Sequence, residues 1–326
     1  MEIAGLSIRV VGLVGALTLV REAIASLNSY LEIVKLLLEK GVDLTVANKN
    51  GWTPLNSALD SSHLEVVRLL LEKGADLTVG DNNRWTPLNS ASLNGHLEIV
   101  KLLLEKGADL TVANKNGWTP LSSASLRGHL DVVELLLQKG ADFTAVNKLG
   151  ETPLISAAAH NQWQVVKLLL EKGANFIKDP RGKTPLIWAA QRGHYESVQV
   201  LLAHEGVDPN IRDQVGRTAL SWAAGKGHDN VLELLLAVEG IRKDSEDCNG
   251  YSPIMWAARK SKRNALRLLC HYGALVTEPL RDGLIFQLAM FMPDVEICEL
   301  PMLDSVGFDG LFGFENLFQG QCTLCA

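Results

Sequence analysis

The sequence predicts an all-α fold, a solenoid of helix-turn-helix units with projecting hairpin loops, and three observations carry that expectation. Thr-Pro-Leu recurs at residues 53–55, 86–88, 119–121, 152–154 and 184–186 and continues as Thr218-Ala219-Leu220 and Ser252-Pro253-Ile254, at steps of 33, 33, 33, 32, 34 and 34 residues. Eight glycines (Gly41, Gly74, Gly107, Gly140, Gly173, Gly206, Gly240 and Gly273) keep the same beat, each closing a Leu-rich run such as Val66 to Leu71. With 47% hydrophobic and 21% charged residues, the 326-residue chain has the composition of a folded domain and not of a disordered one.

Each unit can be built element by element. Thr followed by Pro starts the first helix, since the hydroxyl can cap free backbone N–H groups and the proline ring lacks only a donor that would go unused there. That helix ends near Gly95-His96, Gly128-His129, Gly193-His194 and Gly227-His228, where glycine can take the positive φ of a tight turn. The second helix carries apolar residues at helical spacing, as in Leu97, Ile99, Val100, Leu102, Leu103 and Leu104. A loop follows. Segments such as Asp109 to Trp118, with Asn114, Asn116 and Gly117, hold the turn residues of a projecting hairpin.

The string G-x-T-P-L, then A-A or A-S, then G-H, then V-V-x-L-L-L-x-x-G-A-D resembles the ankyrin-repeat pattern over residues 30–278, as a partial first unit (second helix only) and seven further units. The family usually has His directly after Thr-Pro-Leu. This chain has Asn56, Asn89, Ser122, Ile155, Ile187, Ser221 and Met255 there, which removes a polar contact that the family uses in the turn. Residues 31–58 and 97–124 differ only at Val42 against Ala108 and at Asn56 against Ser122, a sign of recent duplication similar to that in the repeat tails of fungal NACHT/STAND-type receptors.

Stacked units need closed ends. Residues 1–29, almost wholly apolar from 3 to 20, are expected to form an N-terminal capping helix. Two other readings stay open, a cleaved secretory signal and a membrane contact through residues 3–20, the latter because Met1 to Ile8 is weakly similar to the first helix of HeLo-like domains. Residues 279–326 lose the period and are expected to be a degenerate C-terminal cap with an acidic tail. Residues 284–326 hold six acids and no Lys or Arg, which leaves 31 acids against 31 bases in the rest of the chain. A neutral body with an acidic end lacks the basic footprint of a nucleic-acid binder, so no nucleic acid is expected as a partner.

The candidate site is a set of partner-binding residues. Trp52, Trp85 and Trp118 stand directly before Thr-Pro-Leu, while Trp188, Trp222 and Trp256 stand two residues after it or its equivalent. In ankyrin arrays both positions resemble the variable ones on the hairpin and inner-helix surface, and large amphipathic rings there suit recognition. Packing of each ring against the next repeat is the competing reading. Asn50, Asn83, Asn116, Arg217 and Tyr251 join the set as polar rim, and Trp163, within a second helix, is assigned to the core.

Catalysis finds no anchor. There is no P-loop, G-x-G-x-x-G, H-E-x-x-H or G-x-S-x-G, and no cofactor is expected. His63, His96 and His129 recur every 33 residues, but equivalent side chains of stacked helices lie about 8–10 Å apart, too far to share one ion, so no metal is expected. Cys322 and Cys325 form a lone C-x-x-C, and with Cys248, Cys270 and Cys298 they suggest no disulfide framework. The function expected is therefore a monomeric, non-enzymatic scaffold or receptor fragment, cytoplasmic or nuclear, that binds a protein or peptide on a concave groove and the hairpin tips. The alternative is an accessory biosynthetic enzyme or small-molecule binder that uses the groove or the C-terminal segment.

Overall fold

A computed structural model describes residues 27–60 and 62–274, with side chains from residue 31. The expected N-terminal cap, its signal and membrane alternatives, and the C-terminal cap and tail lie outside the described residues, except that Leu27 to Ser29 open the first helix.

Fifteen helices are described, and no strand occurs among these residues. Helix α1 (Leu27–Glu39) is the second helix of the partial unit. Seven pairs follow: α2 (Pro54–Asp60) with α3 (Leu64–Glu72), α4 (Pro87–Asn94) with α5 (Leu97–Glu105), α6 (Pro120–Arg127) with α7 (Leu130–Gln138), and α8 (Pro153–Ala159) with α9 (Trp163–Glu171). The last three are α10 (Pro185–Arg192) with α11 (Tyr195–Leu202), α12 (Ala219–Lys226) with α13 (Asp229–Leu236), and α14 (Pro253–Arg259) with α15 (Arg263–His271).

The threonine row does what its chemistry implies. Thr86, Thr119, Thr152, Thr184 and Thr218 sit in extended backbone before successive first helices, and each side chain accepts the N–H three residues on. At the far end, Gly95, Gly128, Gly193 and Gly227 hold left-handed backbone and turn the chain into the second helix. Ser62, Asn161 and Ser261 take the same place in the other units with φ of 58°, 58° and 54°, at the steric cost of a Cβ.

Within a unit the two helices pack on each other, and between units first helices pack on first and second on second, the first row more closely. Small buried residues in that row permit the approach, Ala58, Ala91, Ala124, Ala157, Ala190, Ala224 and Ala258 among them. One continuous core runs between the rows, filled by Leu and Val such as Leu55, Leu70, Leu103, Leu136, Leu169, Leu201 and Leu235. Trp163 departs from the sequence expectation. It stands at the first position of α9 and is 38% exposed, whereas its counterparts Leu64, Leu97 and Leu130 are half-buried against the core.

The missing histidine after Thr-Pro-Leu costs less than its absence implies in one unit. Asn89 there donates its amide to the Val112 carbonyl of the next loop at 2.9 Å, whereas the buried Asn56 amide finds no partner among the described residues.

Candidate partner-binding face

The loops form a row of their own. Each closes on itself, as Asn48 N–H donates to the Trp52 carbonyl (3.0 Å) and Gly51 N–H to that of Asn48 (2.8 Å). Loops are then linked tip to tip in two runs, the first four and the last three, because Pro180 has no N–H to donate to Leu149. The carbonyls of Asn50, Asn83 and Asn116 accept the N–H groups of Asn82, Lys115 and Lys148, and Arg181 and Val215 accept from Gln214 and Cys248. Backbone bonds thus fix the spacing of the tips while the side chains of Asn50, Asn83 and Asn116 stay exposed. The apolar tips Leu149 and Val215 are exposed too, at 61% and 48%.

Behind the tips lies a ladder that joins the two tryptophan series. In the last three units the residue before Thr (or Ser252) and the residue four after it face each other: Lys183 Nζ lies 4.5 Å from the Trp188 ring, Arg217 4.5 Å from Trp222, and Tyr251 5.2 Å from Trp256. The cations also reach the next ring, Lys183 at 4.3 Å from Trp222 and Arg217 at 3.4 Å from Trp256. Arg192 and Arg259 end the column, each 5.4 Å from its ring. Trp188, Trp222 and Trp256 therefore alternate with cations along the stack, a geometry in which ring face and charge attract. Where Trp52, Trp85 and Trp118 fill the loop position, the helix position four after Thr is Ser57, Ser90 and Ser123, so six of the seven units place one tryptophan at this locus. The fourth, with Glu151 and Ser156, has none and marks the exchange.

Each loop also carries an anchor that sequence reasoning missed. Asn48, Asp81, Asn114, Asn147, Asp179, Asp213 and Asp247 accept, through Oδ1, the N–H groups two and four residues on. The second oxygen of Asp179, Asp213 and Asp247 accepts the indole N–H of Trp188, Trp222 and Trp256 at 3.1, 2.8 and 2.9 Å. Burial alone would raise the Asp247 pKa, but the Tyr251 and Asn249 N–H groups, the Trp256 indole and Arg217 at 3.3 Å hold it below the usual carboxylate range. The signal was present: in all three units Asp precedes Trp by nine residues.

These contacts place the sequence-derived residues. Trp256 is buried (8% exposed), Trp188 and Trp222 are half-buried within the ladder, and Arg217 is wedged between two rings. Tyr251 packs against Trp256 with the rings tilted by 43°. Trp52 and Trp85 are half-buried and line a cleft of about 230 Å³ with Asn56, Asp60, Asp81 and Asn83, whereas Trp118 borders the third loop. At the other end, Arg217, Trp222, Lys226, Trp256, Arg259 and Lys260 line an open cleft of about 510 Å³. The histidines belong to the turns: His129, His194 and His228 reach the carbonyls of Leu93, Ala159 and Gln191 in the preceding unit at 2.9–3.1 Å.

A solenoid of stacked helix pairs with an exposed row of loops is a repeat-type binding module. The ankyrin-repeat model (three copies) matches residues 23–81, 78–147, 140–213 and 202–279, and the chain belongs to the ankyrin-repeat family. Among solved structures, it is similar to the crystal structure of the ankyrin repeat domain of Bcl-3, described as a unique member of the IkappaB protein family. The identity is 29% and the TM-score 0.57, over 68% of this chain and 99% of that one. A comparison with curated protein sequences found no match. The family supports a protein-protein interaction scaffold. No helix among the described residues is long and apolar enough to cross a membrane.

Proposed function

We propose that this chain holds a protein partner along the face made by its loop tips and first helices. The observation that carries the reading is the tip-to-tip backbone bonding, which ties the first four loops and the last three into two ordered runs and presents Asn50, Asn83, Asn116, Leu149 and Val215 with their side chains exposed. A surface ordered before contact loses little entropy on binding. A standard interface of about 800 Å² per partner would extend over several units. The Trp-cation ladder serves this face from behind as a stiffener, and the remaining open edges of its half-buried rings add contact area. The near-duplicate units favour kinship with the repeat tails of fungal NACHT/STAND-type receptors, in which case the chain acts as a receptor's recognition arm. A binding role needs no reacting groups. The alternative small-molecule site would be the 510 Å³ cleft, whose named lining is cationic and aromatic, with no carboxylate to pair as acid and base.

Because the later tryptophans are built into the ladder, substituting them would confound binding with stability, and the test should use the tips. The triple variant Asn83→Glu/Asn116→Glu/Leu149→Glu is compared with Lys101→Glu/Lys167→Glu on the second helices, each as bait in quantitative affinity capture from cell extract. Proteins retained by the parent and by the second-helix variant should fall at least tenfold with the tip variant, while circular dichroism stays unchanged. Equal loss with both variants, or loss with neither, removes the face from the argument.

A further inference from the structure

We propose that the C-terminal half of this face is a docking track for an extended, carboxylate-rich peptide of a partner protein, anchored in the cationic cleft between the last two units. The inference rests on the loop and first-helix face being the partner surface. The residue eight after the capping Thr or Ser is exposed in the second to seventh full units, and it changes character along the stack. It is Asn94 in the second full unit, then Arg127, His160, Arg192, Lys226 and Lys260. Cations at helix ends complement the helix dipole, yet α4 does without one, and four of the next five units place Arg or Lys here, the exception being His160.

The stripe ends in the 510 Å³ cleft, where Lys226 and Lys260 are joined by Arg217, Arg259 and Lys262 around the edges of Trp222 and Trp256. No carboxylate lines it. Asp247, behind it, is engaged by Arg217 and the Trp256 indole. Among the described residues Lys226, Arg259, Lys260 and Lys262 are in no ion pair. Like charges left so close together lower their mutual repulsion when an anionic ligand enters.

Geometry narrows the ligand class. Stacked helices are about 8–10 Å apart, and an extended chain rises about 3.3 Å per residue, so one residue in three would meet each successive cation. A peptide with acids at every third position fits the stripe. Nucleic acid fits less well, because the Trp222 and Trp256 faces that could take a base are already covered by Lys183, Arg217 and Arg259, and the chain carries a net charge of -6.

The test uses the full chain and fluorescence anisotropy with labelled (Glu-Ser-Ser)4, (Gln-Ser-Ser)4 and a dodecathymidylate. The Glu peptide should bind at least tenfold tighter than the Gln peptide, and its affinity should fall as salt rises. Lys226→Glu/Lys260→Glu should remove at least tenfold of it, while Lys73→Glu/Lys106→Glu, with the same charge change elsewhere, should stay within twofold. Equal binding of the two peptides, indifference to the cleft reversal, or tighter binding of the oligonucleotide each overturns the proposal. So does a tenfold gain on neutralising the chain's own acids (Asp304→Asn/Asp309→Asn/Glu315→Gln), which would make the occupant intramolecular. If the tip variant leaves extract capture intact while the peptide result holds, the broader face reading falls and the cleft stands; the reverse outcome sinks the cleft alone.

Discussion

Asp213 joins three donors on one buried carboxylate: the Val215 and Arg217 N–H groups and the Trp222 indole. Asp213→Ala leaves all of them without an acceptor and loosens the ladder between Lys183 and Arg217. We expect a loss of about 2–4 kcal/mol in urea unfolding, the order for stranding buried donors of a charged acceptor; a change under 0.5 kcal/mol would show that the loop holds without its anchor. The turn histidines act in a different way. Burial lowers the pKa of His63, His96 and His194 from an unfolded value of about 6.5. Their contribution is complete above that value and lost as pH falls through it toward the folded pKa, since the unfolded chain then binds more protons. Unfolding at pH 7.5, 6.0 and 5.0 should show falling stability well before the carboxylates titrate. In the fourth unit Gln162 takes the histidine's place, with its amide 3.5 Å from the Leu126 carbonyl, so His194→Gln should flatten the profile; an unchanged slope would place the sensitivity elsewhere.

At the scale of the element, backbone geometry sets the cost of each turn. Arg84 stands where other loops have Gly and holds φ at 62°. Arg84→Gly should therefore stabilise by about 1 kcal/mol, the left-handed penalty for an L-residue less the entropy of glycine. Gly117→Ala should cost more than that penalty alone, because its φ is 83° and a Cβ would meet Asn147 Cα at 2.9 Å in the next loop. Urea midpoints measure both, and an Arg84→Gly variant less stable than the parent would contradict the strain argument. The same local rules explain what could be read from sequence. Thr, Pro and Gly act on their own backbone, so helix starts, turns and the 33-residue beat were visible in the residues themselves. Trp163 misled because its counterparts Leu64, Leu97 and Leu130 are half-buried, and an apolar residue at the start of a helix was taken for core. The Asp-Trp bonds run from a loop into the following helix, and the Lys183 and Arg217 contacts pass between units. Periodicity describes one unit at a time and could not join them.

For the whole molecule, near-neighbour stacking means that each unit is supported by the two beside it, and that surface character can vary along the array without disturbing the core. The hydrophobic residues repeat from unit to unit, whereas the loop and first-helix positions change: tryptophan in the loop gives way to tryptophan on the helix, and Asn94 to cations. Variation of surface residues over a repeated apolar core within the same chain is what a binding array requires. The measurement that bears on this most directly is hydrogen-deuterium exchange of the full chain with and without a purified captured partner. The account expects new protection in the loops at residues 48–52, 81–85, 114–118 and 147–151 and in the first helices behind them. Protection confined to the second helices α3, α5, α7 and α9, with the loops exchanging as in the free chain, would contradict it.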